Sequence, residues 1–229
     1  MCLKKGEKIM KKQMKRMFCL LLVVALVFAG TIPASAASHP YTDVSSGAWY
    51  NGAVEYVYTN NLMAGTSGTT FSPNSNLKRE DAVVFLGQIY EASTKTTISS
   101  SYTTTFTDVQ NKSAYYYKYI GWAKAKGFVS GLTSTSFGVG QYITRKDLAV
   151  MAYLFQMNLK SNYIWKYSVP SYSDISTLSA DQKTAIEGCG IMGIMVGNAD
   201  GTFKPQNYVT RAEAAAIAQN ICVNQKWLS

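Results

Sequence analysis

The sequence predicts an all-α fold built from three tandem helix-loop-helix repeats. Apolar residues recur with helical period in one segment of each repeat and stand at matching positions in a second segment. Landmark residues return 66 positions apart, namely Gly65, Gly131 and Gly197, then Phe71, Phe137 and Phe203, and then Arg79, Arg145 and Arg211. A fixed period of this length is typical of repeat proteins, whose units bury their apolar faces against one another.

The first 36 residues have the three parts of a secretory signal. A basic stretch is followed by an apolar core at residues 17–30 and by Ala34-Ser35-Ala36. This core is shorter than the roughly 18 residues that a membrane span needs. We therefore expect a secreted protein cleaved after Ala36, with no membrane contact afterwards. An uncleaved anchor is the alternative, and Met10 or Met14 is an alternative start.

Charge argues against a nucleic-acid partner once the signal is removed. The whole chain has a net charge of +9, but residues 37–229 carry 15 basic and 12 acidic residues, a net charge of +3. The basic character therefore belongs mostly to the signal. The remaining 193 residues are enough for a domain of ordinary size with a full core.

Two cysteines, Cys189 and Cys222, remain after removal of the signal. In an oxidising exterior they could form a disulfide. The alternative is two buried thiols in separate helices. Neither has a histidine nearby in sequence that would activate it as a nucleophile.

The first helix of each repeat has a stop signal of the Schellman type. Asn and Gly accept the left-handed conformation that ends a helix, and an apolar residue should follow. The three pairs that fit are Asn61-Leu62, Gly127-Phe128 and Gly193-Ile194.

The second helix of each repeat starts at the landmark arginine. Thr210 and Glu213 have the spacing of a capping box, and Thr144 and Asp147 nearly repeat it. Lys78 replaces threonine in the first repeat, so the cap there should be weaker. Apolar residues then follow at helical spacing, as in Ala82, Phe85, Leu86 and Ile89.

The three arginines need a compensating partner. A cation at a helix N-terminus faces the positive end of the helix dipole. Residues 37–229 contain three arginines, all at this position. Arginine binds carboxylate or phosphate through two parallel hydrogen bonds, which indicates three anion sites. The alternative is that each arginine pairs with an aspartate of the chain, namely Asp43, Asp108 or Asp174, and joins neighbouring repeats.

These motifs resemble the S-layer homology domain. The resemblance rests on YTDV, FTDV and YSDI at the repeat starts, on the turn NADGTFKP at residues 198–205, and on VTRAE at residues 209–213. The turn of the second repeat lacks the proline. On this basis the repeats span residues 37–92, 106–157 and 172–229, with a Ser/Thr-rich linker at 93–105 and another linker at 158–171.

The resemblance implies a pseudo-threefold bundle at the bacterial cell surface. It would bind secondary cell-wall polysaccharide linked to peptidoglycan, often carrying pyruvate ketals, in grooves between repeats. The site residues that the resemblance implies are Arg79, Arg145, Arg211, Asp43, Asp108, Asp174 and Trp49. Tyr115 keeps an aromatic ring at the position of Trp49, whereas Asp181 does not, so we expect the third repeat to be a poorer sugar platform.

Two other classes of function compete with this one. A glycosidase would need two carboxylates, but most of the acidic residues have repeat or capping roles. We therefore expect no catalytic residues, no cofactor and no metal; the single histidine, His39, falls in a predicted N-terminal tail. The other class is a protein-binding scaffold or adhesin, in which the 16 tyrosines contact other surface proteins.

Overall fold

The part of the chain that the structure describes contains six α-helices in three consecutive pairs. The computed structural model describes residues 39–160 and 162–228, so the predicted signal lies outside it. The first helices of the pairs are α1 (Asn51–Thr59), α3 (Tyr117–Ala125) and α5 (Ala180–Ile191), and the second helices are α2 (Arg79–Thr94), α4 (Arg145–Leu159) and α6 (Arg211–Asn224). The predicted all-α class is confirmed.

The predicted stop signals end α1, α3 and α5. Asn61, Gly127 and Gly193 all have positive φ, at 54°, 76° and 66°. After α1, the backbone N–H of Leu62 donates to Val57 O at 2.7 Å, which is the longer bond of a Schellman motif. The same pattern follows Gly127 and Gly193.

The start signals of the second helices also agree with the sequence. Thr210 and Glu213 form a capping box at α6, with both reciprocal bonds present. Thr144 accepts a hydrogen bond from the Asp147 N–H at α4. Lys78 makes no side-chain cap at α2, as the sequence predicts.

Thr210→Ala should lower the free energy of unfolding by about 1 kcal/mol, because it leaves an N–H of the first turn without its partner. Lys78→Ala is the matched control, since this N-cap side chain caps nothing. The measurement is equilibrium urea unfolding of both variants and the parent. Equal losses in the two variants would show that the capping box contributes nothing particular.

A closed ring of backbone hydrogen bonds joins the three repeats. The N–H groups of Leu77, Val209 and Ile143 donate in turn to Val209 O, Ile143 O and Leu77 O, at 2.7, 3.1 and 3.0 Å. The side chains of these three residues are fully buried. Three isolated antiparallel bridges flank the ring, at Asn76–Thr210, Lys78–Tyr142 and Thr144–Tyr208. The repeats therefore close on one another, although a pseudo-threefold symmetry of the whole bundle stays a prediction.

Helix packing follows the same cyclic order. The second helix of each repeat contacts the first helix of the next one, so that α2 packs on α3, α4 on α5 and α6 on α1. The landmark residues Phe71, Phe137 and Phe203 are all fully buried in the core. The landmark glycines are required by close packing: a Cβ at Gly131 would lie 2.3 Å from Thr133 O.

Both cysteines are buried free thiols in separate helices, which is the second of the two alternatives left by the sequence. Cys189 lies in α5 and Cys222 in α6. Burial raises the pKa of Cys189 above its usual range and that of Cys222 to about 12. Both are therefore protonated core residues at neutral pH.

The prediction that His39 lies in a tail is wrong. Its ring stacks on Tyr41 with centroids 5.3 Å apart, and its Nε2 lies 3.3 Å from Asn51 Oδ1. His39 and Tyr41 are both buried, each at 7% exposure. Within the described residues, we find no helix with the length and apolar character needed to cross a bilayer.

Candidate functional site

Each landmark arginine reaches out of its own repeat into the loop of the next one. Its Nε and Nη2 groups donate to two backbone carbonyl oxygens there, and the guanidinium lies 4.7–5.1 Å from the centre of a phenylalanine ring. The carbonyl pairs are Phe137 and Ser130 for Arg79, Phe203 and Val196 for Arg145, and Phe71 and Ala64 for Arg211. The third repeat thus contacts the first, and the cycle of contacts is closed.

A carboxylate at the first turn of the second helix accompanies each arginine. Burial lowers the pKa of all three guanidinium groups. The nearby carboxylates offset part of this shift, namely Asp147 for Arg79, Glu213 for Arg145 and Asp81 for Arg211. Arg79 Nη1 lies 3.8 Å from Asp147, and Arg145 Nη1 lies 3.4 Å from Glu213. Carbonyl oxygens and carboxylates together therefore compensate for a cation at the positive end of a helix.

Among the described residues, no ion pair joins these arginines to Asp43, Asp108 or Asp174, which was the alternative to three anion sites. Each of these aspartates accepts backbone N–H bonds from the turn of its own repeat. The donors are Phe71 and Ser72 for Asp43, Phe137, Gly138 and Val139 for Asp108, and Phe203 and Lys204 for Asp174. The aspartate holds the turn, and a carbonyl of that turn accepts the arginine. The negative charge of the aspartate also opposes the lowering of the pKa of that arginine by burial.

Asp108 makes more of these bonds because the second repeat lacks the proline. Val139 stands at the position of the proline and offers an N–H that Asp108 accepts at 2.9 Å, and Ser136 Oγ adds another bond. Burial alone would raise the pKa of Asp108, but these hydrogen bonds outweigh it and lower the pKa to about 2.

The low pKa of Asp108 predicts an acid-sensitive component of stability. A carboxyl group with a depressed native pKa stabilises the fold above its unfolded pKa of about 4, and this contribution is lost as the pH falls toward 2. Asp108→Asn should therefore destabilise the protein at pH 7 and show a shallower loss of stability between pH 4 and pH 2. The measurement is urea unfolding across this pH range. Parallel curves for parent and variant would contradict the assignment.

A groove of about 560 Å³, called groove 1, lies beside Arg211. It is bounded by the loop at residues 62–66, the first half of α2, and Tyr115 from the next repeat. Lys78, Asp81 and Tyr142 also line it.

A second groove, of about 370 Å³ and called groove 2, lies beside Arg79. Asp147 and Asp181 line it at the positions of Asp81 and Tyr115 in groove 1. By the repeat period, the corresponding place beside Arg145 has Glu213 and Trp49. Trp49 is 69% exposed.

Asp181 therefore affects a different groove from the one expected. The sequence interpretation assigned it to the third repeat with Arg211, whereas the structure places it beside Arg79. The reason is that each groove contains residues from all three repeats. In groove 2, the first repeat contributes Arg79, the second contributes the loop at residues 127–132, and the third contributes Asp181, at the position equivalent to Tyr115. Arg211, from the VTRAE motif, instead lines groove 1 together with Lys78 and Tyr115.

Groove 1 is more positively charged than groove 2. Among the described residues, no carboxylate lies within the 4.0 Å ion-pair distance of Arg211, and Asp81 accepts a hydrogen bond from the Tyr115 hydroxyl at 2.6 Å. Lys78 adds a second cation. In groove 2, by contrast, Arg79 faces two carboxylates, Asp147 and Asp181.

Glu80 makes a buried contact that the sequence does not predict. Its carboxylate accepts the Gly140 N–H at 2.9 Å and so joins α2 to the turn of the second repeat. Burial raises its pKa. The sequence contains no local signal for this contact, because it joins residues 60 positions apart.

The described residues contain no group of three or more His, Cys, Asp or Glu side chains placed to hold a metal ion.

Comparison with protein families gives three matches in register with the repeats. A family model described as the S-layer homology domain matches residues 40–83, 105–149 and 171–215. These segments make up more than half of the chain, and each contains one loop and one arginine motif.

Relatives include both enzymes and surface-layer proteins. The chain is 30% identical to an endoglucanase of Bacillus sp. (strain KSM-635), over 92% of this chain and 22% of that protein. It is 27% identical to S-layer protein EA1 of Bacillus anthracis, over 84% and 21%, and 28% identical to an amylopullulanase of Thermoanaerobacterium thermosulfurigenes, over 74% and 9%. The chain thus spans about a fifth or less of the length of these relatives. It belongs to the S-layer homology domain family and is a cell-surface protein.

Proposed function

We propose that the three domains anchor the chain non-covalently to the cell wall by binding an anionic secondary cell-wall polysaccharide, with groove 1 as the principal site. The observation that carries this proposal is the charge of groove 1. Two cations, Arg211 and Lys78, line it, and its one acidic lining residue, Asp81, is hydrogen-bonded to Tyr115.

Arg211 suits a carboxylate ligand because it is already held in place. Its Nε and one Nη2 hydrogen are used by Phe71 O and Ala64 O, so the Nη1 group and the second Nη2 hydrogen remain. A ligand that pairs with this edge orders no flexible side chain, which reduces the entropy cost of binding. A pyruvate ketal carries a carboxylate of the right charge and size for this edge.

The remaining lining residues would supply further contacts to the same sugar. Lys78 precedes α2 and is exposed, so its ammonium group can move to the anion. The N-terminus of α2 adds a favourable dipole. Tyr115 is 58% exposed and offers an aromatic face beside the two cations.

The other two grooves should bind an anionic polymer more weakly. In groove 2, Asp147 and Asp181 would repel a carboxylate that approaches Arg79. At the corresponding place beside Arg145, Glu213 already pairs with the guanidinium, although Trp49 offers a ring for stacking. We therefore propose that Arg79 and Arg145 serve mainly to join repeats, and that Asp43, Asp108 and Asp174 support the sites through the turns.

We further propose that the chain has no catalytic activity of its own. Its relatives named as enzymes are several times longer than the part that they share with this chain.

A second candidate function is favoured by one exposed surface. Trp165, Tyr167 and Val169 are 52%, 54% and 64% exposed in the segment that joins α4 to α5. Such a patch suits contact with another surface protein and could operate beside wall binding.

Co-sedimentation with isolated Gram-positive cell walls tests the anchoring proposal. The protein should sediment with walls that retain their secondary polysaccharide and stay in solution with walls from which it has been chemically removed. Equal sedimentation with both preparations would contradict the proposal and direct attention to peptidoglycan or to a protein partner.

A further inference from the structure

Two exposed tyrosines lie together next to groove 1. Tyr142 and Tyr208 are 48% and 51% exposed, and their ring centroids are 5.6 Å apart in an edge-to-face arrangement. They precede Ile143 and Val209, two members of the buried ring of hydrogen bonds. Because neighbouring residues of an extended segment point to opposite faces, burial of one set leaves the other in solvent.

The bridges of the ring explain why these side chains meet. Tyr142 pairs with Lys78 and Tyr208 pairs with Thr144, so residues from all three repeats come together here. The third equivalent position has Asn76 instead of a tyrosine. The second and third repeats therefore supply the aromatic rings of this surface, and the first repeat supplies none.

Tyr142 makes this surface continuous with groove 1. It lines that groove together with Asn76, Lys78 and Arg211, whereas Tyr208 lies one ring further away. A polymer whose charged sugar lies at Arg211 would thus meet Tyr142 and then Tyr208 if it continued along this surface.

We infer that Tyr142 and Tyr208 form a second sugar subsite, which binds a neutral sugar residue of the same polysaccharide next to the charged sugar in groove 1. The inference rests on the proposed function. An aromatic ring packs against the apolar face of a sugar ring while its hydroxyl reaches the sugar hydroxyl groups, and this recognition needs no charge. The subsite would make affinity depend on the length of the polymer.

Tyr208→Ala tests the inference, because Tyr208 does not line groove 1. Two probes are titrated by calorimetry: a methyl hexosaminide with one pyruvate ketal, and a fragment of three or more sugars with the same ketal. The variant should bind the single sugar as the parent does and bind the fragment about fivefold to tenfold more weakly. Tyr208→Phe keeps the ring and should keep most of the fragment affinity.

Tyr167→Ala is the matched control, since Tyr167 is equally exposed but lies in the segment between α4 and α5. It should change neither affinity. Unchanged binding of the fragment by a folded Tyr208→Ala variant would overturn the second subsite while leaving groove 1 intact. If the parent binds neither probe, the proposed function fails, and the subsite fails with it.

Discussion

Arg211→Ala is expected to lower the free energy of unfolding by about 4 kcal/mol, because two charge-assisted hydrogen bonds are lost and two backbone carbonyls are left without their donor. Those carbonyls belong to Phe71 and Ala64 of the first repeat. The substitution also removes the contact of the guanidinium with the Phe71 ring, 4.8 Å from its centre. The measurement is equilibrium urea unfolding at neutral pH.

Lys146→Ala is a suitable control for this effect. Lys146 also lies in the first turn of a second helix, but among the described residues its ammonium group contacts only the exposed Gln206 side chain, at 3.0 Å, and Asp147, at 3.9 Å. Its loss should cost less than about 0.5 kcal/mol. A similar small cost for Arg211→Ala would show that the arginine does not join the repeats.

Lys78→Glu is expected to weaken polysaccharide binding by about a hundredfold or more, because it turns groove 1 from net positive to net negative. The fold should persist, since Lys78 is exposed and caps no helix. This variant therefore separates binding from stability, which substitution of the arginine cannot do.

Lys112→Glu makes the same change of charge outside groove 1 and serves as its control. Affinity for purified wall polysaccharide is measured for parent and both variants, with melting temperatures recorded beside it. If the two variants lose affinity equally, net charge controls binding and groove 1 has no special role.

Helix ends were predictable because their signals are local. Asn61, Gly127 and Gly193 adopt the left-handed conformation that their residue types favour. The Thr210–Glu213 capping box likewise needs residues of one helix turn alone. Such features depend on a few neighbouring dihedral angles, so the sequence contains the whole signal.

The partners of the arginines could not be predicted in the same way. A repeat period shows which residues are equivalent, but it does not show whether Arg211 contacts its own repeat or the first one. That depends on closure of the ring, which brings together residues 140 positions apart, such as Arg211 and Phe71. The position of Asp181 could not be predicted for the same reason, because its groove is shared between repeats and the sequence shows only the register within one repeat.

Closure of the ring also gives several acidic residues contacts that the sequence does not predict. The sequence predicts capping roles for Asp147 and Glu213, and their carboxylates also pair with Arg79 and Arg145. The sequence leaves Asp108 as an alternative partner of an arginine, whereas its carboxylate accepts the hydrogen bonds that hold a turn. A carboxylate can accept several hydrogen bonds at once, so one assigned role does not exclude another.

Selective removal of the ketal tests the central claim most directly. Purified wall polysaccharide is titrated into the protein by calorimetry before and after mild acid treatment that releases the pyruvate and leaves the sugar chain intact. If groove 1 binds the ketal carboxylate through Arg211 and Lys78, affinity should fall by at least tenfold after treatment. Equal affinity for the treated and untreated polymer would contradict the account, because the two cations of groove 1 would then have no anion to bind.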